Sequence, residues 1–209
     1  MNIIYPIYKC FTDQIFDGAK PFEFRRKLPN ELKTGDKIYI YEPVKKGGSK
    51  MVVGEFTVGE IFECNYYLGC VPFMEYYCRH ILKNDDYADK FARAFKLNLD
   101  GYKKGAPMNF ALDVESIEYM EQTGNWPKLR INDDNQKKLR WENQMTMEKC
   151  DRWLGKIGFY NEYDESTYNF AITIVNPVRY ENPKPLSDFI KKDSTCVNKA
   201  PQGFVYVVN

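Results

Sequence analysis

Three charged residues in the run Gly18-Ala19-Lys20-Pro21-Phe22-Glu23-Phe24-Arg25-Arg26 have the types and spacing to act together on a ligand. In an extended segment side chains alternate between faces, so Glu23 and Arg25 share one face while Phe22 and Phe24 share the other. Lys20 precedes Pro21, which disfavours helix at the lysine and holds it at the mouth of the strand. With the phenylalanines on the core, this spacing predicts a cation, a carboxylate and a guanidinium along a surface or cleft. Lys20 as a point charge and Arg25 as a planar fork suit a phosphate or a base edge. Glu23 orients Arg25 or accepts from an exocyclic amine, and Arg26, facing the other way, contacts backbone at the rim. Tyr39 and Tyr41 offer faces for base stacking, the usual way single-stranded RNA is held; core packing is the competing account of both. For the charged run, the competing account is an exposed strand carrying a cross-strand ion pair.

Short strands and one helix must position these groups. Ile3 to Ile7 reads as a strand, followed by a helix from an N-cap at Thr12 to Asp17, with Gly18 in the left-handed position that ends helices. Phe22 to Arg25 is the next strand. Thr34-Gly35-Asp36 is a turn leading into Lys37 to Tyr41, where Ile38 and Ile40 alternate with Tyr39 and Tyr41. The lysine-rich tip Lys45-Lys46-Gly47-Gly48-Ser49-Lys50 either tracks phosphates or protects a sheet edge. Met51 to Phe62 is a long strand in which Gly54 and Gly59 permit bulges.

The middle of the chain changes period. Apolar residues from Val71 to Leu97 recur at helical spacing, with a break near Asn84-Asp85-Asp86, predicting two helices; Tyr76, Tyr77, Phe91 and Phe95 form either their core or a partner-docking stripe. Gly101 to Gly105 reads as a turn, Phe110 to Met120 as a strand, Gly124 to Asn135 as a loop and Lys137 to Ile157 as a helix. Asn169 to Val175 is a strand, the Pro177, Pro183 and Pro185 region a connector, and Phe204 to Val208 a closing strand. Strands at both ends bracketing helices predict an α+β fold: a small mixed β-barrel with flanking helices, one domain over 1–209 with a mainly helical insertion at about 65–165.

Composition narrows the function classes. The 209 residues are 44% hydrophobic and 16% aromatic, enough for a real core without disulfides or metals, and the net charge of +1 provides no global attraction for nucleic acid. Any such contact is local, and slightly basic ends around a slightly acidic middle favour the termini for an anionic ligand. The six cysteines contain no CxxC pair, and the polar, short start is unlike a signal peptide, so reduced thiols in the cytoplasm are expected. Cys64, Cys70, Cys78 and His80 lack the paired knuckles of structural zinc sites, so no metal or other cofactor is expected. No run of eighteen apolar residues suggests a membrane span. The oligomeric state and any protein partner are not encoded legibly.

Several elements, in order, resemble the ASCH (activating signal cointegrator homology) domain of the PUA-like superfamily. These are Gly18-x-Lys20-x-x-Glu23-x-Arg25, Gly35-Asp36 before Ile38-Tyr39-Ile40-Tyr41, Val52-Val53-Gly54-Glu55, and the closing segments Asn176 to Tyr180, Lys184 to Phe189 and Ala200 to Phe204. The resemblance covers roughly 1–62 and 168–209. It implies a curved barrel with the charged motif in a cleft, in a superfamily whose modules bind RNA or modified nucleosides; with Arg26 and Tyr41 from the residue reading above, the expected ligand-binding set is Lys20, Glu23, Arg25, Arg26 and Tyr41. Some members hydrolyse acylated cytidines with a lysine, a threonine three positions later and a glutamate elsewhere, and others are described as ribonucleases or DNA-binding modules. Here Glu23 stands where the threonine would be, so no hydroxyl nucleophile is in place. The expected function is an RNA- or nucleotide-binding module. The alternatives are a hydrolase of a modified nucleoside or RNA, with Lys20 and Glu23 catalytic and the lysine pKa lowered by Arg25, and a protein-interaction domain.

Overall fold

The computed structural model describes residues 1–64, 71–93, 122–123, 134–159 and 169–208. Two compact units emerge, one formed by Met1–Cys64 with Ile157–Asn209 and the other by Asn65–Lys156. The turn expected at Gly101–Gly105, the strand at Phe110–Met120 and the loop at Gly124–Asn135 lie outside the described residues, except that Asp134 and Asn135 at the end of the loop belong to a helix.

The first unit holds a six-stranded mixed sheet built from β1 (Asn2–Pro6), β2 (Phe22–Arg25), β3 (Lys37–Tyr41), β4 (Val52–Glu63), β5 (Phe170–Lys184) and β6 (Val205–Val207). The strand order is β2-β5-β4-β3-β1-β6; β1 and β3 run parallel, and the other neighbours are antiparallel. The parallel pair requires a crossover, supplied by α1 (Lys9–Phe16) and β2. Helix α1 begins earlier than the sequence suggested: Tyr8 is the N-cap, and Thr12 is a buried residue inside the helix. Thr12 is held there because its hydroxyl has a tertiary partner, the Glu42 carboxylate at 2.6 Å. Gly18, with φ of 76°, takes the left-handed position after the helix as expected.

Strict alternation sorts the core onto the two faces of the sheet. Ile3 and Tyr5 of β1 join Ile38 and Ile40 of β3 in a cluster with Ile15 of α1, Val53, Phe56, Val58 and Ile172. Ile4 joins Tyr39, Tyr41, Val52, Val207, Phe189 and Val197 on the opposite face. Both faces are therefore covered.

Strand β5 continues beyond Val175 through Pro177 and Pro183, the region expected to be a connector. The ladder with β4 jumps from Thr57↔Val175 to Glu55↔Val178 and again from Gly54↔Arg179 to Val52↔Lys184. The prolines, which have no N–H to give, sit inside these interruptions, and Asn176 takes a positive φ of 48° at the first of them. A β-carbon on Gly54 would lie 2.3 Å from the Val178 carbonyl oxygen and 2.5 Å from the Phe16 ring, so only glycine allows β4, β5 and α1 to approach here.

The sheet curls but does not close. Three strands separate β2 from β1, about 19 Å in a flat sheet, yet Arg25 Nη2 on β2 donates to the Pro6 carbonyl at the end of β1 at 3.0 Å. No ladder joins the ends of the curl: β2 and β6 remain the two edges, and a side chain spans the gap.

The second unit contains α2 (Val71–Tyr76), which runs on into a π-helical turn at Tyr77–Ile81, α3 at 85–93, and α4 (Asp134–Lys156). The break between α2 and α3 falls at 82–84, as the Asn84-Asp85-Asp86 signal predicted, and Asn84 Oδ1 accepts from the Tyr87 amide at 3.0 Å. Tyr77 and Phe91 are buried, and the Tyr76 ring stacks on Trp153 at 6.0 Å, so these aromatics build the interior of this unit. Phe95 lies outside the described residues. No described helix is long and apolar enough to cross a membrane.

Candidate functional site

Lys20, Glu23 and Arg25 meet as the sequence predicted, but inside the protein. Lys20 is 2% exposed and Glu23 6% exposed, so β2 buries its charged face as well as the Phe22 and Phe24 face. Lys20 is placed by the end of α1: its amide donates to the Gln14 carbonyl at 3.0 Å, just beyond left-handed Gly18. Lys20 Nζ donates to the Ile157 carbonyl at 2.5 Å and lies 3.8 Å from Glu23 Oε2. The rings of Phe24 and Phe11 face the ammonium, with centroids at 4.5 and 5.0 Å, an arrangement suited to cation–π attraction. Glu23 Oε1 accepts from Arg25 Nη2 at 2.9 Å.

The carboxylate thus lies between two cations, and each charge has a partner that offsets part of the cost of burial. Burial brings the Lys20 pKa down to about 8; Glu23 opposes that fall, and Arg25 adds to it less than burial does. Lowering by Arg25, expected from the sequence, is therefore a secondary contribution. Desolvation dominates because the ammonium has exchanged water for one carbonyl, one carboxylate and two rings.

These groups line a cavity of about 540 Å³, within the range of small-molecule sites. Tyr5, Tyr8, Phe11, Phe24 and Phe204 give it aromatic walls, and Gly158, Gln202 and Gly203 complete the lining with Arg26 and Lys27. Gly158 has φ of 84°, and a β-carbon there would come within 2.6 Å of Phe11, so glycine is required where this turn meets the aromatic wall. The Arg25 guanidinium stacks over the Tyr5 ring at 4.1 Å. Two polar atoms here are buried and without a hydrogen-bond partner among the described residues, Tyr5 Oη and Arg25 Nε. Burial pushes the Tyr5 phenol well above its ordinary pKa, keeping it a neutral donor. A buried donor without a partner is costly, and here both belong to residues that line a cavity large enough for a ligand.

The remaining expected site residues separate. Arg26 is exposed and lines the cavity. Tyr41 does not: it is 1% exposed and packs on the opposite face of the sheet with Tyr39, whose ring meets Phe189 at 4.9 Å. Register explains this, because Tyr5 pairs with Ile40, so the face that carries Tyr5 carries Ile38 and Ile40, and Tyr39 and Tyr41 point away. The tyrosines that line the pocket are Tyr5 and Tyr8. An alternating Ile3-Ile4-Tyr5 strand reads as plain core, so its hydroxyl gave no sequence signal; nor did the Ile157 carbonyl, which is backbone. Phe204 was visible only as part of the C-terminal segment.

Among the described residues no group of three His, Cys, Asp or Glu side chains is placed to hold a metal. Cys70 lies outside them, and Cys10, Cys64, Cys78, Cys150 and Cys196 are free thiols. Burial pushes the Cys64 thiol up to about 12, so it is a poor nucleophile.

No protein-family model matches this chain, and no curated protein matches it. Among solved structures the chain is similar to the ASCH protein of Zymomonas mobilis, at 12% identity and a TM-score of 0.45, covering 100% of this chain and 88% of that one. Two single-residue variants of the same protein match at 11% identity and TM-scores of 0.44, covering 100% of this chain and 91% and 89% of theirs.

Proposed function

We propose that the protein is an RNA- or nucleotide-binding module that takes a base into the aromatic pocket over Lys20, Glu23 and Arg25. The observation that carries this reading is a pocket walled by flat rings, two of whose lining residues, Tyr5 and Arg25, each keep a buried donor, Oη and Nε, without a partner among the described residues. A nucleobase satisfies both requirements at once: its faces stack on aromatic side chains, and its carbonyl or ring nitrogen accepts from the donors. Glu23 stands ready to accept from an exocyclic amine, and Arg26 and Lys27 are the exposed cations lining the cavity. The helical second unit is an insertion in this module. Calorimetric titration with the four ribonucleoside 5′-monophosphates and with a short single-stranded RNA tests the proposal. Saturable binding that weakens at least tenfold in Arg25→Ala supports it, and no saturable binding of any of them overturns it.

One observation favours a second reading, hydrolysis of a modified nucleoside or RNA. With a pKa of about 8, about a tenth of Lys20 is neutral at pH 7, against less than a thousandth for an ordinary lysine, so its amine is available as a base next to Glu23. Incubation with acylated cytidines and with RNA, comparing wild type with Lys20→Ala, decides the matter: product absent in the variant supports hydrolysis, and equal background in both rejects it.

A further inference from the structure

The hairpin between β3 and β4 carries Lys45, Lys46 and Lys50, all exposed. Lysines at a sheet edge often serve only to block further pairing, but this hairpin joins two interior strands; the edges are β2 and β6. Its lysines therefore have no edge to protect. The loop is also built to one shape. Buried Glu42 accepts from Thr12 Oγ1 of α1 at 2.6 Å and from the Ser49 amide at 3.1 Å, while its own carbonyl accepts from the Lys50 amide at 2.9 Å. Lys46 and Lys50 hold positive φ angles of 61° and 62°, a conformation uncommon outside glycine and asparagine. A β-carbon on Gly48 would meet the Pro43 carbonyl oxygen at 2.1 Å, so the tip is folded tightly on itself. Lys46 Nζ lies 5.0 Å from the centre of the Tyr8 ring, and Tyr8 is a wall of the pocket. The basic tip thus meets the pocket at its Tyr8 wall.

We infer that the pocket rim and this hairpin form one basic track, which holds the sugar-phosphate backbone of a single-stranded RNA while one of its bases occupies the pocket. The inference rests on the pocket reading above and extends it from a single nucleotide to a strand. Its support is charge complementarity on a fixed scaffold. Arg26 and Lys27 line a cavity that receives one base, Lys46 stands against its Tyr8 wall, and a mononucleotide carries too few phosphates to engage all three.

The test is fluorescence anisotropy of a labelled ten-nucleotide single-stranded RNA between 50 and 200 mM KCl, with unlabelled mononucleotides as competitors. Three phosphate contacts predict a slope of about −2 in log affinity against log salt, or about a 20-fold loss of affinity over that range. Lys46→Asn, which removes the charge but suits a positive φ, reduces the slope by about 0.7; Lys46→Arg retains the wild-type slope. An unchanged slope in Lys46→Asn overturns the track, as does an oligonucleotide that binds no tighter than a mononucleotide, and either leaves the pocket reading intact if mononucleotides bind. A slope that falls in Lys46→Asn while Tyr5→Phe changes nothing supports the track and overturns the pocket reading. No binding of either probe overturns both.

Discussion

Replacing Lys20 by methionine removes a cation whose pKa burial drives from an ordinary 10.5 down to about 8. The sign of the linked stability effect follows from proton counts. Between pH 8 and 10.5 the unfolded chain still carries the lysine proton and the folded chain has released it, so stability rises with pH across that window. The full penalty for burying the ammonium, about 3 kcal/mol, applies below pH 8 and is relieved above 10.5. From pH 7 to pH 9.5 the wild type should therefore gain about 2 kcal/mol that Lys20→Met does not. Methionine also lacks the hydrogen bond to the Ile157 carbonyl and leaves Glu23 paired to Arg25 alone, so the absolute difference at one pH mixes several effects. The pH slope isolates the proton. Other groups that titrate in this window, including the buried Tyr5 and Cys64, are common to both proteins and cancel in the subtraction. Urea unfolding of both at pH 7, 8, 9 and 9.5 gives the curve. A wild-type-minus-variant difference that is flat over this range refutes the reasoning, because the ammonium would then not be desolvated in the fold.

Tyr5→Phe deletes a buried hydroxyl that has no partner, so thermal stability should hold or rise by up to about 2 kcal/mol while nucleotide affinity falls; a destabilised variant would mean that the hydroxyl is satisfied within the fold. Gly54→Ala forces a β-carbon against the Val178 carbonyl and the Phe16 ring, and a loss of at least about 3 kcal/mol in urea unfolding is expected. Near-neutral behaviour there would show that the bulge relaxes freely. Glu42→Ala strips the Thr12 hydroxyl and the Ser49 amide of their acceptor, so trypsin should cut at Lys45, Lys46 or Lys50 at least several times faster than in wild type at equal global stability. An unchanged cleavage rate would show that the tip is held without Glu42.

Much of the first unit was legible because its signals are local. Alternating Ile38-Tyr39-Ile40-Tyr41, left-handed Gly18 and the turn at Gly35 fix strands, a helix end and a turn through backbone sterics and side-chain period, and these features fall where the sequence put them. Lys20, Glu23 and Arg25 could be grouped for the same reason, since a strand of four residues after a helix end leaves little freedom. The extent of β5 was not legible: a proline normally ends a strand, and it continues only because bulges against β4 put Pro177 and Pro183 where no ladder hydrogen bond is needed. Thr12 looked like a cap because its partner, Glu42, lies thirty residues away in sequence.

What the chain determined by itself was therefore most of the elements of the first unit and the charged triplet on β2. Tertiary structure alone decided that the triplet is buried and which tyrosine attends it. The curl of the sheet carries Arg25 across to Pro6 and Tyr5, and the register of β1 with β3 turns Tyr41 to the far face. Neither distance nor face is written in local sequence, because both depend on pairings between segments that the chain separates and only the folded sheet brings together.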